Sequence, residues 1–385
     1  MAQKTTKLNF IDLFSGAGGL SCGLEMAGLN CLLGVDFNTD AIKTFKKNHP
    51  NSEAFCGDIS KLKSSEIKRL IKNKKVNLIA GGPPCQGFST VGKGNPNDQR
   101  NQLFREFIRI VKDFKPEYVV MENVTGLLAK KNEASLNAIV KLFNRLGYNI
   151  DVNILSAQNY GVPEKRRRTI FICSRINNKV VFPEITHVES PTINKHQHVQ
   201  TVGDAIANLK TKNGLLHNHD IELAQIKNTI DQKRIQRIPE GKGIRYEKDE
   251  KAYFTKNLKL GIDWKNTPES RLRQTKFQRL DSKLPSPTIM THRHNYYHPH
   301  ENRFLTQREA ASIQSFPNDF VFYGSVTSQW RQIGNAVPPL LGKSIGLAIK
   351  KMYKNANKTL ELNNIAKFNE ELATKRGNAF KYSRK

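Results

Sequence analysis

Asp12-Leu13-Phe14-Ser15-Gly16-Ala17-Gly18-Gly19-Leu20 is the stretch on which the reading of this chain turns. It overlaps the apolar run Phe10-Ile11-Asp12-Leu13-Phe14 and opens a helical pattern, so a buried strand passes through glycines into a helix. In a doubly wound sheet a nucleotide-like ligand sits at that turn, and glycines let the backbone approach it closely. The spacing differs from Gly-x-Gly-x-x-Gly, so an ordinary tight turn is an equal reading of these residues alone. Further apolar runs, Leu32-Leu33-Gly34-Val35-Asp36, Val76-Asn77-Leu78-Ile79-Ala80 and Tyr118-Val119-Val120-Met121, each read as a buried parallel strand. They alternate with amphipathic segments such as Phe104 to Phe114 and Ser135 to Leu146. This rhythm predicts an α/β, doubly wound, Rossmann-like core with its working groups at the strand ends.

Two carboxylates stand where such a core would need them. Asp36 ends the second run, twenty residues past Gly16, at the position that accepts hydrogen bonds from ribose hydroxyls. Asp58, in Gly57-Asp58-Ile59, ends a third segment and is placed to accept from an exocyclic adenine amine. No lysine follows the glycines in the phosphate-cradling pattern, so an adenosine ligand without a phosphate chain, such as S-adenosylmethionine, fits better than ATP. The Phe14 ring can face a sulfonium cation, or it can be a core aromatic; both readings stand at this point.

The run Val76 to Ala80 leads into Gly81-Gly82-Pro83-Pro84-Cys85-Gln86-Gly87-Phe88-Ser89, which puts a cysteine on a stiff turn at the carboxyl edge of the sheet. Cys22, Cys31, Cys56 and Cys173 read instead as small buried hydrophobes. The polar segment Thr90 to Arg100 has the character of a lid. Thirty-seven residues beyond Cys85, Met121-Glu122-Asn123-Val124 ends another strand, so Glu122 reaches the same edge. A third group comes from Gln158-Asn159-Tyr160-Gly161-Val162-Pro163-Glu164-Lys165-Arg166-Arg167-Arg168, which on its own is compatible with a solvated or phosphate-contacting face.

Composition limits the partners. The chain has 385 residues, 38% of them hydrophobic, and the N-terminal Met1-Ala2-Gln3-Lys4 passes directly into Leu8-Asn9-Phe10-Ile11 without a signal core. Mean hydropathy of -0.56 argues against a membrane protein, and the cytoplasm is the expected compartment. A net charge of +28 favours a polyanion, nucleic acid first, over a merely solvated lysine-rich surface. Five cysteines with no Cys-x-x-Cys pair indicate neither a disulfide framework nor a zinc site.

Near Val180 the strand-helix rhythm is lost. The expected organisation is a catalytic domain of residues 1–185 plus 323–353, a smaller domain of residues 186–322, and a basic polar tail, 354–385, read as a solvated helix and a frayed end. A helical pattern returns from Thr306 to Ser315, and another begins after Pro338-Pro339.

Taken in order, these segments resemble the DNA cytosine-5 methyltransferase family, of the bacterial restriction-modification type, over most of the chain. The resemblance rests on Phe14-Ser15-Gly16-Ala17-Gly18-Gly19, Pro84-Cys85-Gln86, Glu122-Asn123-Val124, the arginine run, Arg303-Phe304-Leu305-Thr306-Gln307-Arg308-Glu309 and Gln332-Ile333-Gly334-Asn335-Ala336-Val337. It implies a Cys85 thiolate that adds to C6 of cytosine, because C5 is too electron-poor to take a methyl group directly. Glu122 would hold N3 and the exocyclic amine, with Arg168 and Arg166 supporting the pyrimidine edge, although Glu164 stands where Gln is usual. S-adenosylmethionine would be the methyl donor, with no metal. Phe14, Gly16, Gly18 and Gly19 would form its turn, with Asp36 at the ribose, although Glu is more usual there, and Asp58 at the adenine. Phe37, Ile59, Pro83, Asn335 and Val337 would complete that site.

The resemblance further implies double-stranded DNA as partner, flipping of the target cytosine, a monomer, and functional pairing with a restriction endonuclease. The smaller domain would recognise the target. It carries Arg234, Arg237, Arg245, Arg271, Arg273, Arg279 and Arg293 with Tyr246, Tyr253, Tyr296 and Tyr297, any of which can read a base, contact phosphate or merely face water. His292, His294, His298 and His300 have no cysteine nearby, which argues against zinc. Two other functions remain for comparison: a tRNA cytosine-5 methyltransferase, which would carry Pro where Gly87 stands, and a catalytically inactive DNA-binding regulator, against which Cys85 and Glu122 speak.

Overall fold

The computed structural model describes residues 7–84, 99–191, 196–207, 209, 216–267, 275–292, 296–356, 360–362 and 368–375. Two compact units divide the chain: residues 1–160, 166–186 and 336–385 form the first, and residues 161–165 and 187–335 the second.

The first unit is built on strands β1 (Asn9–Leu13), β2 (Asn30–Asp36), β3 (Glu53–Cys56), β4 (Leu78–Gly81), β5 (Tyr118–Val124), β6 (Asn149–Ser156) and β7 (Arg167–Ser174). Between them run helices α1 (Gly19–Met26), α2 (Thr39–Asn48), α3 (Ser64–Leu70), α4 (Gln99–Phe114) and α5 (Glu133–Arg145). The sheet order is β3-β2-β1-β4-β5-β7-β6. β1 to β5 pair in parallel, as near-continuous apolar strands covered on both faces should. β7 runs antiparallel to both β5 and β6, so the sheet is mixed. Chain order reverses between β1 and β4, which makes that pair the switch point of the doubly wound sheet, where ligands bind beyond the carboxyl ends of the strands. One core cluster runs from Ile11 and Val35 through Ile79, Phe107 and Met121 to Phe171.

The end of the chain returns to its beginning. The last long helix of this unit, Pro339–Lys354, starts on a proline that its first turn tolerates and lies so close to α1 that the facing glycines have no room for a side chain. A Cβ on Gly23 would stand 2.2 Å from the Pro339 carbonyl oxygen, and one on Gly346 would meet the Ala27 methyl at 2.6 Å. The tail is more than a solvated helix. Phe368 and Leu372, four residues apart and so on one helical face, are buried in the main core, and Lys375 pairs with Asp151 on the edge strand β6.

In the second unit the described helices are α6 (Val202–Ile206), α7 (Ile221–Ala224), α8 (Thr229–Gln236), α9 (Glu247–Tyr253), α10 (Gln307–Ile313) and α11 (Val326–Asn335). Its core combines Ile226, Ile235, Ile244 and Phe254 with a stack of Phe277 on Tyr297 and Tyr297 on Phe304, at 5.7 and 4.8 Å between ring centres. Thr306 and Glu309 form a reciprocal cap on α10. Glu309 also takes two bonds of 2.8 Å from the Arg303 guanidinium, so the Arg303–Glu309 motif is a buried, fully engaged ion pair.

Candidate active site

The cofactor turn leaves β1 in an unusual backbone state. Phe14, Gly16 and Gly18 have φ of 64, 54 and 91°, a run of left-handed residues that only glycine adopts freely. At Phe14 this conformation costs on the order of 1–3 kcal/mol and needs outside support. Asp36 at the end of β2 supplies part of it: its Oδ2 accepts from the Gly16 N–H and its Oδ1 from the Asn38 N–H, both at 2.9 Å. Burial raises the Asp36 pKa, and those two N–H groups oppose the rise.

The neighbouring groups suit an adenosine ligand. Phe37 is 76% exposed directly after Asp36, an uncommon setting for a ring with no partner to stack on. Asp58 is exposed, with Oδ1 accepting from the Ser60 N–H, which lowers its pKa. Among the described residues the buried Ser15 hydroxyl has no hydrogen-bond partner, a setting compatible with a ligand's polar group. Phe14 is half-buried against the main core, as its reading as a core aromatic expects. Ile59 points into that core, while Val337 is buried just before the last long helix. Asn335 ends α11 as an exposed residue of the second unit. Within the first unit, the Phe14–Gly19 turn with Asp36, Phe37 and Asp58 has the chemistry to fit S-adenosylmethionine.

Beneath the turn lies a polar pair that sequence reading passed over. Asp12, 1% exposed, accepts from the Ser21 hydroxyl at 2.6 Å. Burial raises its pKa from 3.8 to about 6, against the Ser21 hydrogen bond and the His49 charge. The native state therefore favours the neutral carboxyl, and the stability it contributes is complete below 3.8 and lost as pH rises through about 6. Asp12→Asn should flatten that part of the stability curve. Urea unfolding at about pH 4 and about pH 7 should show the variant losing less stability over this interval, by an amount on the order of 3 kcal/mol.

On the other side of the switch point, β4 and β5 carry the candidate reaction groups. Gly81 pairs with Leu13 on one side and Met121 on the other, so the segments after all three residues leave one edge together. Glu122 and Arg168 lie diagonally on the same face of the antiparallel β5–β7 pair, whose register sets Glu122 opposite Ile170 and Val124 opposite Arg168. Arg168 Nε stands 2.8 Å from Glu122 Oε1, with both side chains 15% exposed. Burial raises the Glu122 pKa, while Arg168 and the fully buried Arg166 oppose the rise. A Cβ on Gly82 would come to 3.1 Å from Glu122 Oε2, and the Asn123 amide donates to the Pro83 carbonyl at 3.0 Å. Asn123 thus anchors the backbone that leads into Cys85, and Glu122 lies close beside Gly82. Cys85 itself, Gln86 and the expected lid as far as residue 98 lie outside the described residues.

In the second unit the structure separates arginines that composition left alike. Arg279 is 5% exposed and gives its donors to the carbonyls of Ile235, Ile238, His298, Pro299 and Glu301 and to Asn302 Oδ1. It fastens loops and has no donor to offer a base. Arg234 is likewise engaged, by Asp231 and the Leu258 and Lys259 carbonyls. Tyr296 and Tyr297 are buried, whereas Arg237 is exposed and Arg245, Tyr246 and Tyr253 are partly so. Arg271, Arg273, Arg293 and His294 lie outside the described residues. His298 is 8% exposed and its Nδ1 accepts from the His300 and Glu301 N–H groups, a loop-capping role. Among the described residues no group of three or more His, Cys, Asp or Glu could hold a metal. Glu164 is buried, with Oε1 accepting from the Ile289 N–H at 2.5 Å, which gives the carboxylate in place of Gln a local structural function.

The profile of C-5 cytosine-specific DNA methylases matches residues 8–351. The chain belongs to that family. Among relatives, the Type II methyltransferase M1.HphI of Haemophilus parahaemolyticus is 37% identical over 360 residues, spanning 90% of this chain and 88% of the relative. The Type II methyltransferase M.DdeI of Desulfomicrobium norvegicum is 32% identical, spanning 91% and 90%. A solved structure of a protein encoded within an E. coli prophage, described as a DNA modification methyltransferase, superposes with a TM-score of 0.66 at 26% identity over 90% of this chain and all of its own. The structure of S. pombe Dnmt2, 18% identical with a TM-score of 0.58, shares the fold. This DNA cytosine-5 methyltransferase therefore has the Rossmann-like core of S-adenosylmethionine-dependent enzymes. No described helix is long and apolar enough to cross a membrane.

Proposed function

We propose that this enzyme methylates C5 of one specific cytosine in duplex DNA, working as a monomer in the cytoplasm as the modification partner of a restriction endonuclease. The observation that carries the chemistry is the Glu122–Arg168 pair, held beside the Gly81–Pro84 backbone that leads into Cys85. Bound S-adenosylmethionine supplies an electrophilic methyl group on a sulfonium. Cys85 adds its thiolate to C6, and the C5=C6 electrons move into the ring. Glu122, whose neutral form burial favours, gives a proton or hydrogen bond to N3 and stabilises the charge arriving there. Arg168 orients that carboxyl through the 2.8 Å contact. The enriched C5 then takes the methyl group as the methyl–sulfur bond breaks, the bonding pair staying on sulfur in the neutral thioether that leaves. Loss of the C5 proton to a base, breakage of the Cys85–C6 bond and return of the N3 proton to Glu122 restore the aromatic ring, the thiolate and the carboxyl. A cytosine stacked in duplex DNA cannot present C6 to an attacking side chain, so the target base is flipped out of the duplex.

On the cofactor side, Asp36 binds the ribose, Phe37 and Asp58 the adenine, and the Phe14–Gly19 turn the methionine end. Incubation with labelled S-adenosylmethionine and either duplex DNA or tRNA, followed by identification of the modified base, tests this reading. Label in 5-methylcytosine of DNA is expected, and label in tRNA alone would overturn the substrate. Mapping the methylated sites gives the recognition sequence.

A further inference from the structure

We propose that His49 is a positioning residue for the cofactor turn, acting through Gly18 and not by touching the cofactor. The residue caps the end of α2 and is only 2% exposed. Its backbone is fixed on both sides, since its N–H donates to the Phe45 carbonyl at 2.9 Å and its own carbonyl accepts from Ser52 at 3.0 Å. The ring packs on Phe45 with centres 4.4 Å apart, and Nδ1 lies 2.7 Å from Glu25 Oε2 in the last turn of α1. At the opposite end of the same helix, His49 and Phe45 fill the space a side chain on Gly18 would need: a Cβ there would stand 2.3 Å from His49 Nε2 and 2.9 Å from the Phe45 ring.

One imidazole therefore links the two ends of α1, meeting the Glu25 side chain from its last turn with one nitrogen and facing the Gly18 N-cap with the other. The N-cap needs such help. Gly18 has no side chain to cap the helix, no acidic residue stands in the first turn, and three residues of the turn are left-handed. Asp36 restrains the turn at Gly16, and His49 restrains it at Gly18 from below. Removing the imidazole would leave a cavity under Gly18 and Glu25 without its partner, and the turn would relax into it. The groups on β4 and β5 that act on cytosine would be untouched, so the defect should fall on cofactor affinity and not on the chemical step.

The inference rests on the cofactor reading above, and the test separates the two. Binding of S-adenosylmethionine to the DNA-free protein is measured by calorimetry, and KM and kcat by methylation of duplex DNA. For His49→Ala, Kd and KM for S-adenosylmethionine should rise on the order of tenfold, while kcat at saturating cofactor and Kd for DNA stay within about twofold. His49→Gln, which keeps a donor for Glu25 and part of the volume, should recover most of the loss. Glu25→Gln, which keeps an acceptor, gives a milder version of the same shift if the alanine variant fails to fold. Unchanged cofactor affinity in the variants, or a fall in kcat with KM unaltered, overturns the proposal. Failure of the wild-type protein to bind S-adenosylmethionine overturns the cofactor reading beneath it.

Discussion

Cys85→Ala is expected to abolish methyl transfer while cofactor binding stays at the wild-type level. The loss should be complete within assay limits, because without addition at C6 no other group on the chain makes C5 nucleophilic enough to attack the sulfonium. Serine at this position should be nearly as inactive, since a hydroxyl is almost never ionised near neutral pH and a thiol is far easier to ionise. A duplex with 5-fluorocytosine at the target gives the matching positive result. Addition and methyl transfer go forward, but fluorine cannot leave as a proton does, so the Cys85–C6 bond persists. A denaturing gel should show a protein–DNA adduct that requires both Cys85 and S-adenosylmethionine. An active enzyme that forms no adduct would exclude the covalent route.

Glu122→Gln is the second large effect, with kcat falling on the order of 10²–10⁴-fold and DNA affinity little changed. An amide retains the shape and can still donate a hydrogen bond, but it cannot deliver a proton to N3. The pH profile separates this role from simple packing. Burial raises the Glu122 pKa, so the protonated form persists to higher pH than for an exposed carboxyl, and the wild-type rate should decline as pH rises through that value. In the glutamine variant that limb should be absent. Arg168→Ala should move the limb upward, because the guanidinium 2.8 Å away favours the ionised carboxylate. A glutamine variant with the wild-type pH limb would assign the titration to another group.

The strand ends were legible in the sequence because an apolar run bounded by glycine or an acid has few other physical interpretations. Asp36 ends β2 and Pro83 follows β4 at the predicted edge, whereas Glu122 lies inside β5, which runs on to Val124 against β7. Direction was harder: β6 and β7 have the same alternation whichever way they run, and only the pairing showed that β7 reverses. The arginines of the second unit could not be ranked, since Arg279 and Arg237 differ in burial and not in type. His49 carries no distinguishing signal in the sequence, because its contacts with Gly18 and Glu25 join residues far apart along the chain. In the tail, a surplus of lysine and asparagine concealed Phe368 and Leu372, whose spacing was the available signal.

The close fit of α1 against the helix Pro339–Lys354 has a consequence for synthesis. The first helix made by the ribosome cannot finish its packing until one of the last has emerged, since Gly23 and Ala27 lie bare without the Pro339 carbonyl and Gly346. The glycine turn in front of that helix therefore matures late, once the chain has been translated past Gly346. A nascent or truncated chain that stops before Pro339 leaves α1 without its packing partner, so release before that point yields a protein whose Phe14–Gly19 turn lacks the support behind it.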